Sequence, residues 1–261
     1  MAWDHARVEG LLFDLNGVFY TGDEVIAGAG KTLDAIRERG IPYRFITNTT
    51  TQSRDALVEK LGALGLDVEP DSLMTAPIAT RDYLLRENLL RCHFVVDRDV
   101  LRDFRGLEAV DREPDAVVIG DIGDRWGYAL LDRLFAMLTG GARLVAVHRN
   151  RYSQSGTGLH VDIGLFVAGL EYAADTEAVL TGKPSRRFFE AAARSMELEP
   201  SRVAVVGDDV DSDVGGAQGA GMQGVLVRTG KYRPELVERS GVTPDAEIGS
   251  IADLARLLGD S

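Results

Sequence analysis

The chain has 261 residues, 45% hydrophobic and 27% charged, with a formal net charge of −12. That composition suits a globular protein of one large or two modest domains, and no run approaches the roughly 18 uninterrupted apolar residues of a membrane span. The acidic balance excludes nucleic acid and anionic membrane surfaces as partners, since both need a basic footprint.

The first element is GLLFD (10–14), an apolar run that breaks off at Asp14 and is followed by Asn16 and Gly17. KTLDAIRERG (31–40) then places apolar residues at helical spacing with a Gly at its stop, IPYRFIT (41–47) reads as a second strand, and SRDALVEKLGALG (53–65) as a second helix. From about Pro77 to Ala178 come further strand-like runs, HFVV, DAVVI and RLVAV, and the helix-like RWGYALLDRLFAML. They lead into HRNRYSQSGTGLHVDIG (148–164), a polar, Gly-rich loop before the helix-like LFVAGLEYA. GKPS (182–185), VAVVGD (203–208) and GVLVR (224–228) resume the first pattern. Short strands alternating with amphipathic helices predict a parallel α/β fold. Its core is expected at 1–77 and 179–261, with a second α/β domain inserted at 78–178. The N-terminus Met1-Ala2-Trp3-Asp4-His5 lacks the basic and apolar regions of a signal peptide, and the single Cys92 cannot form an intramolecular disulfide. A cytoplasmic setting is therefore expected, with Cys92 as a small core hydrophobe.

Two motifs fail on inspection. GAGKT (28–32) has the tail of a phosphate-binding loop, but that loop needs glycine where this chain has Val25, and a helix start is the better reading. Asp209, Asp211 and Asp213 alternate as in a calcium loop, yet Val214 and Ala220 stand where glycine and glutamate are required. In a parallel sheet the functional groups gather at the carboxyl ends of the strands, which here carry Asp14, Thr47 with Asn48, and Asp208 with Asp209. Each alone is equally a cap or a turn former. Together they suit phosphoryl chemistry. A carboxylate such as Asp14 can attack phosphorus and form an acyl phosphate, provided cations and amides neutralise the charge. Lys183 offers an ammonium, and it is one of only four lysines in a chain that otherwise uses arginine.

LLFDLNG, FITN, GKPS and VVGDDVDSD stand in the order and helical context of the four motifs of the haloacid dehalogenase-like phosphatases, and the whole chain resembles that family. The likeness is strongest to its group with a large α/β cap between the second and third motifs. It implies a Rossmann-like parallel core, an inserted cap and a Mg²⁺ cofactor held by Asp14, the backbone carbonyl of Asn16 and Asp208. It also implies Asp14 as nucleophile, Thr47, Asn48 and Lys183 as phosphate-binding residues, and Asp213 as the supporting acid of the last motif. In the cap loop, His160 and Asp162 are candidates for substrate contact. The expected partner is a small phosphorylated substrate, with no nucleic acid and no membrane, and a homodimer through the cap.

Asn16 departs from the family pattern, in which a second Asp two residues after the nucleophile protonates the leaving group and then activates water. An amide can hydrogen-bond but exchanges no protons usefully near neutral pH, and a metal ligand that is a backbone carbonyl is unaffected. The expectation is therefore a phosphohydrolase for compounds with activated leaving groups. The alternative is a catalytically weak pseudophosphatase that binds phosphorylated ligands.

Overall fold

Strand Gly10–Asp14 is buried at every residue because it lies inside a parallel sheet with chain on both faces. The computed structural model describes residues 3–155 and 158–259. Across its six-stranded sheet the order is Ala246–Ile248, Gln223–Val227, Val203–Gly207, Gly10–Asp14, Tyr43–Thr47 and Leu73–Thr75. Gly10–Asp14 pairs in parallel with both neighbours, Leu12 opposite Val205 on one side and Asp14 opposite Ile46 on the other. Its carboxyl end, and those of its two neighbours, therefore open at one edge of the sheet. Phe13, Phe19 and Phe45 pack edge to face beneath that edge, Phe19 lying 5.3 Å from Phe13 and 5.2 Å from Phe45 between ring centroids. Such pairs contribute about 0.5–1.5 kcal/mol beyond burial. Because Phe19 lies past Asp14 in the chain, they also pin the turn that follows the strand.

A second parallel sheet has the order Val179–Leu180, Arg143–Ala146, Ala116–Ile119, Arg91–Val95 and Glu108–Ala109. Helices Ala76–Arg86, Tyr128–Thr139 and Gly164–Ala174 belong with it, and its cores gather Val117, Ile119, Leu134 and Val167 in one cluster and Leu84, Cys92, Val118 and Val145 in another. Cys92 is the expected core hydrophobe, its thiol donating to Leu89 O at 3.3 Å. Tyr128, Leu165 and Tyr172 are exposed.

The described chain separates into two compact units, Met1–Thr47, Val58–Met74 and Lys183–Ser261 in one, Asn48–Leu57 and Thr75–Gly182 in the other. The boundaries read from the sequence left 48–57 with the core. In the structure this segment groups with the insert: Ser53 N donates to Asp99 Oδ2 at 2.8 Å and Arg54 N to Asp103 Oδ2 at 3.0 Å, so two distant carboxylates cap the start of helix Arg54–Ala63. A second difference concerns the expected loop 148–164. Tyr152–Ser155 and Gly158–Val161 pair as an antiparallel hairpin, Gly156 and Thr157 of the same stretch lying outside the described residues. Among the described residues no helix is long and apolar enough to cross a membrane.

Candidate active site

The edge of the first sheet brings together what the sequence spreads over two hundred residues. Asp14 ends its strand, after which the chain turns sharply: Phe19 N donates to Leu15 O at 2.9 Å and Gly17 N to Tyr20 O at 2.7 Å. Lys183 arrives at the start of the third returning segment and is buried, with its Nζ donating to Asp14 Oδ1 at 2.6 Å and to Asp213 Oδ1 at 2.7 Å. Asp208 directly follows strand Val203–Gly207, and Asp213 lies one helical turn further on, where its Oδ2 accepts from Asp209 N at 3.1 Å. Carboxylate oxygens of Asp14, Asp208 and Asp213 all lie within 4.8 Å of one another.

Space around Asp208 is closed by two glycines. A Cβ on Gly17 would lie 1.9 Å from Asp208 Oδ2 and one on Gly230 2.0 Å from it, and both residues have positive φ, +94° and +57°. Only glycine accepts that approach and that backbone together. Lys231 N donates to Asp208 Oδ2 at 2.7 Å, and Lys231 Nζ lies 3.3 Å from Asp209 Oδ2.

Four carboxylates, Asp14, Asp208, Asp209 and Asp213, thus share two ammonium groups, Lys183 and Lys231, leaving an excess of two negative charges. Burial pushes Asp213 up to about 6, with Lys183 opposing and Asp14 adding to the rise. Burial also drives Asp208 well above the usual carboxylate range, reinforced by Asp14 and Asp213 and resisted by Lys231. The lysines respond in the opposite sense. Burial works against the charge on Lys183, but Asp14 and Asp213 outweigh it and hold its pKa above the ordinary value; for Lys231, Asp209 and Asp208 do the same. Asp209 is held low despite its burial by Lys231 and the Ser212 N–H. Carboxylates that resist ionising together are a site that a hard divalent cation completes, and three clustered carboxylate oxygens suit Mg²⁺ in donor type and in charge.

Of the residues predicted from sequence, Asp14, Lys183, Asp208 and Asp213 come together. Thr47 is buried at the end of the adjacent strand, one residue beyond Ile46, the register partner of Asp14. Asn48 groups with the second unit, where its Nδ2 donates to Asn150 Oδ1 at 3.4 Å. Asn16 is exposed on the turn after Asp14, in a backbone bridge with Tyr20. His160 and Asp162 lie in the second unit, His160 exposed and Asp162 buried. The Asp162 carboxylate faces inward, accepting from Ile163 N at 2.6 Å and lying 3.9 Å from His148 Nε2. Asp209 caps the turn that follows, accepting from Asp211 N and Ser212 N. Lys231 is the site residue that sequence reasoning missed. The signal that singled out Lys183, the scarcity of lysine, applied to it equally.

Comparison with known proteins agrees with this geometry. A haloacid dehalogenase-like hydrolase model matches residues 11–108 and a HAD-hydrolase-like model residues 180–254. The chain is 41% identical over 226 residues to haloacid dehalogenase-like hydrolase domain-containing protein 2 of Bos taurus, covering 87% of this chain and 86% of that protein. It is 36% identical over 252 residues to phospholysine phosphohistidine inorganic pyrophosphate phosphatase of Danio rerio, covering 94% and 92%. Among solved structures, a 4-nitrophenylphosphatase of Thermotoga maritima matches with a TM-score of 0.89 at 26% identity, over 97% of this chain and 98% of that one.

Proposed function

The chain belongs to the haloacid dehalogenase-like hydrolases and is a phosphatase of that family, and we propose that it hydrolyses small phosphorylated compounds with activated leaving groups through an aspartyl phosphate on Asp14, with Mg²⁺ as cofactor. The observation that carries this reading is the buried Lys183, whose ammonium sits 2.6 Å from Asp14 and 2.7 Å from Asp213 beside a third carboxylate. Nothing in the packing of a sheet edge calls for so costly a cluster, in which buried carboxylates outnumber the ammonium groups that pair with them.

In the reaction, a carboxylate oxygen of Asp14 attacks phosphorus while the bond to the leaving group breaks. Lys183 fixes the Asp14 carboxylate and presents positive charge to the equatorial oxygens, and the Thr47 hydroxyl at the adjacent strand end donates to the same group. Asp14, Asp208 and the backbone carbonyl of Asn16 would hold Mg²⁺, which when bound neutralises phosphoryl charge. Asp213 supports Lys183. Asn16 delivers no proton, so groups that depart as stable anions are favoured. Two of the compounds in the relatives' names accord with that preference, since nitrophenyl phosphate and pyrophosphate release stable anions, whereas the nitrogen leaving groups of phospholysine and phosphohistidine depart protonated.

Rapid quench with a ³²P-labelled aryl phosphate tests the reading. Wild-type protein with Mg²⁺ should yield a hydroxylamine-labile protein label, absent in Asp14→Asn protein of unchanged circular dichroism, and chelator should stop phosphate release. Steady turnover in Asp14→Asn, or in excess chelator, would remove the mechanism. Tight binding of the ester with neither label nor turnover would identify the pseudophosphatase instead.

A further inference from the structure

The reaction above leaves one charged group of the site without a task. Lys231 lies outside the four motifs, yet it touches two of the four clustered carboxylates, Asp208 through its backbone N–H and Asp209 through its ammonium. We propose that Lys231 is the leaving-group cation, a specificity-determining residue that takes up the charge of an anionic departing group where Asn16 cannot supply a proton. This rests on the phosphatase reading.

Two observations support the assignment. The first is position. The segment ending at Lys231 is docked on the turn that carries Asn16: the Thr229 hydroxyl donates to Gly17 O, and a Cβ on Gly230 would lie 2.5 Å from Gly17 Cα. The Lys231 backbone therefore stands beside the turn that carries Asn16, with its ammonium on Asp209, whereas the Lys183 ammonium stands between Asp14 and Asp213. The second is availability. The Lys183 side chain is 4% exposed and has two contacts below 2.8 Å, but that of Lys231 is 24% exposed and meets Asp209 at 3.3 Å. A longer contact at a partly exposed position is one an incoming anion can compete for, and a partly buried ammonium is worth more to that anion than a fully exposed one.

The chemistry then selects a substrate class. An alkylammonium carries its charge at neutral pH, so Lys231 acts by charge and not by giving up a proton. In the first step the Asp14 Oδ–P bond forms as the bridging P–O bond breaks, and the electron pair of that bond stays on the departing oxygen. When the leaving group is itself a phosphate, it departs with charge concentrated on its oxygens beside Lys231. A nitrophenolate disperses its single charge over the ring. The geometry thus points to phosphoanhydrides, diphosphates above all, as the compounds for which Lys231 matters most.

The test compares kcat/KM of wild type, Lys231→Met and Lys231→Arg on inorganic pyrophosphate and 4-nitrophenyl phosphate in saturating Mg²⁺. Lys231→Met should lower the value for pyrophosphate at least tenfold more than that for 4-nitrophenyl phosphate, with the loss in kcat, and Lys231→Arg should restore most of it. Equal losses on both substrates would mean that Lys231 only positions Asp208 and Asp209, and the proposal would fall; no loss on either would do the same. Wild-type protein that cleaves 4-nitrophenyl phosphate but not pyrophosphate refutes this inference alone. Protein that cleaves neither refutes the phosphatase reading with it.

Discussion

At the scale of single residues, Asn16 divides the two half-reactions unequally by substrate. Its exposed amide on the turn after Asp14 can neither protonate a leaving group nor take a proton from water. Under the proposed mechanism, good leaving groups escape the first penalty and every substrate meets the second, because the same phospho-Asp14 would have to be hydrolysed. General acid-base assistance is worth about 10²–10⁴-fold. Asn16→Asp should therefore accelerate the single-turnover phosphorylation step about that much for alkyl phosphate esters and far less for aryl phosphates, while dephosphorylation quickens for both. Unchanged alkyl ester rates would show that another group already supplies the proton. Residues of this kind were readable to the extent that their neighbours in sequence framed them. Asp14 stands at the end of an apolar run and Lys183 in Gly-Lys-Pro, whereas Lys231 follows a Gly-rich turn whose significance lies in contacts with Gly17 and Asp208, more than twenty residues away. Asp162 lies buried beside His148, a tertiary property that local polarity does not encode.

At the scale of elements, the turn after the first strand is where backbone and metal site meet. Gly17 and Gly22 both have positive φ, +94° and +62°, but a Cβ on Gly17 would strike Asp208 while one on Gly22 would meet nothing within 4 Å. Each substitution by Ala should cost about 1–2 kcal/mol of stability for the left-handed backbone. Gly17→Ala should in addition weaken Mg²⁺ binding about tenfold by displacing Asp208, measured by titration calorimetry, with Gly22→Ala as the strain-only control. Equal Mg²⁺ affinities in the two variants would separate Gly17 from the metal site. Elements with strong local patterns were legible: the continuous apolar Gly10–Asp14 strand, and helix Ala29–Glu38 in place of a phosphate loop. The hairpin at 152–161 was not, because its polar and glycine residues mimic a loop until strand pairing satisfies the backbone. Nor was the grouping of 48–57 with the insert, which depends on carboxylates at 99 and 103 capping a helix some fifty residues earlier.

At the scale of the whole molecule, the acidic cluster links folding stability to pH and to metal. Asp213 titrates near 6 in the folded chain against an ordinary 3.8, so without metal the native state binds more protons than the unfolded chain between those values. Stability from this group is full below about 3.8 and is lost as pH rises through about 6. Asp208 shifts in the same direction. Mg²⁺ held as proposed would bind the deprotonated carboxylates and stabilise in proportion to its occupancy, which grows as protons leave. The gap in Tm between samples with Mg²⁺ and with chelator should therefore widen from pH 5 to pH 7; a gap independent of pH would detach the cluster from the metal. The sheet order has a further consequence, one for synthesis. The strand that carries Asp14 is flanked by Val203–Gly207, which is synthesised about 190 residues after it. At about 5–20 residues per second the ribosome leaves this apolar segment without one of its two strand partners for roughly 10–40 seconds, while all of the second unit is translated. During that interval Leu11, Leu12 and Phe13, all buried in the folded sheet, would offer a nascent-chain chaperone an apolar strand with one edge open, just ahead of Asp14.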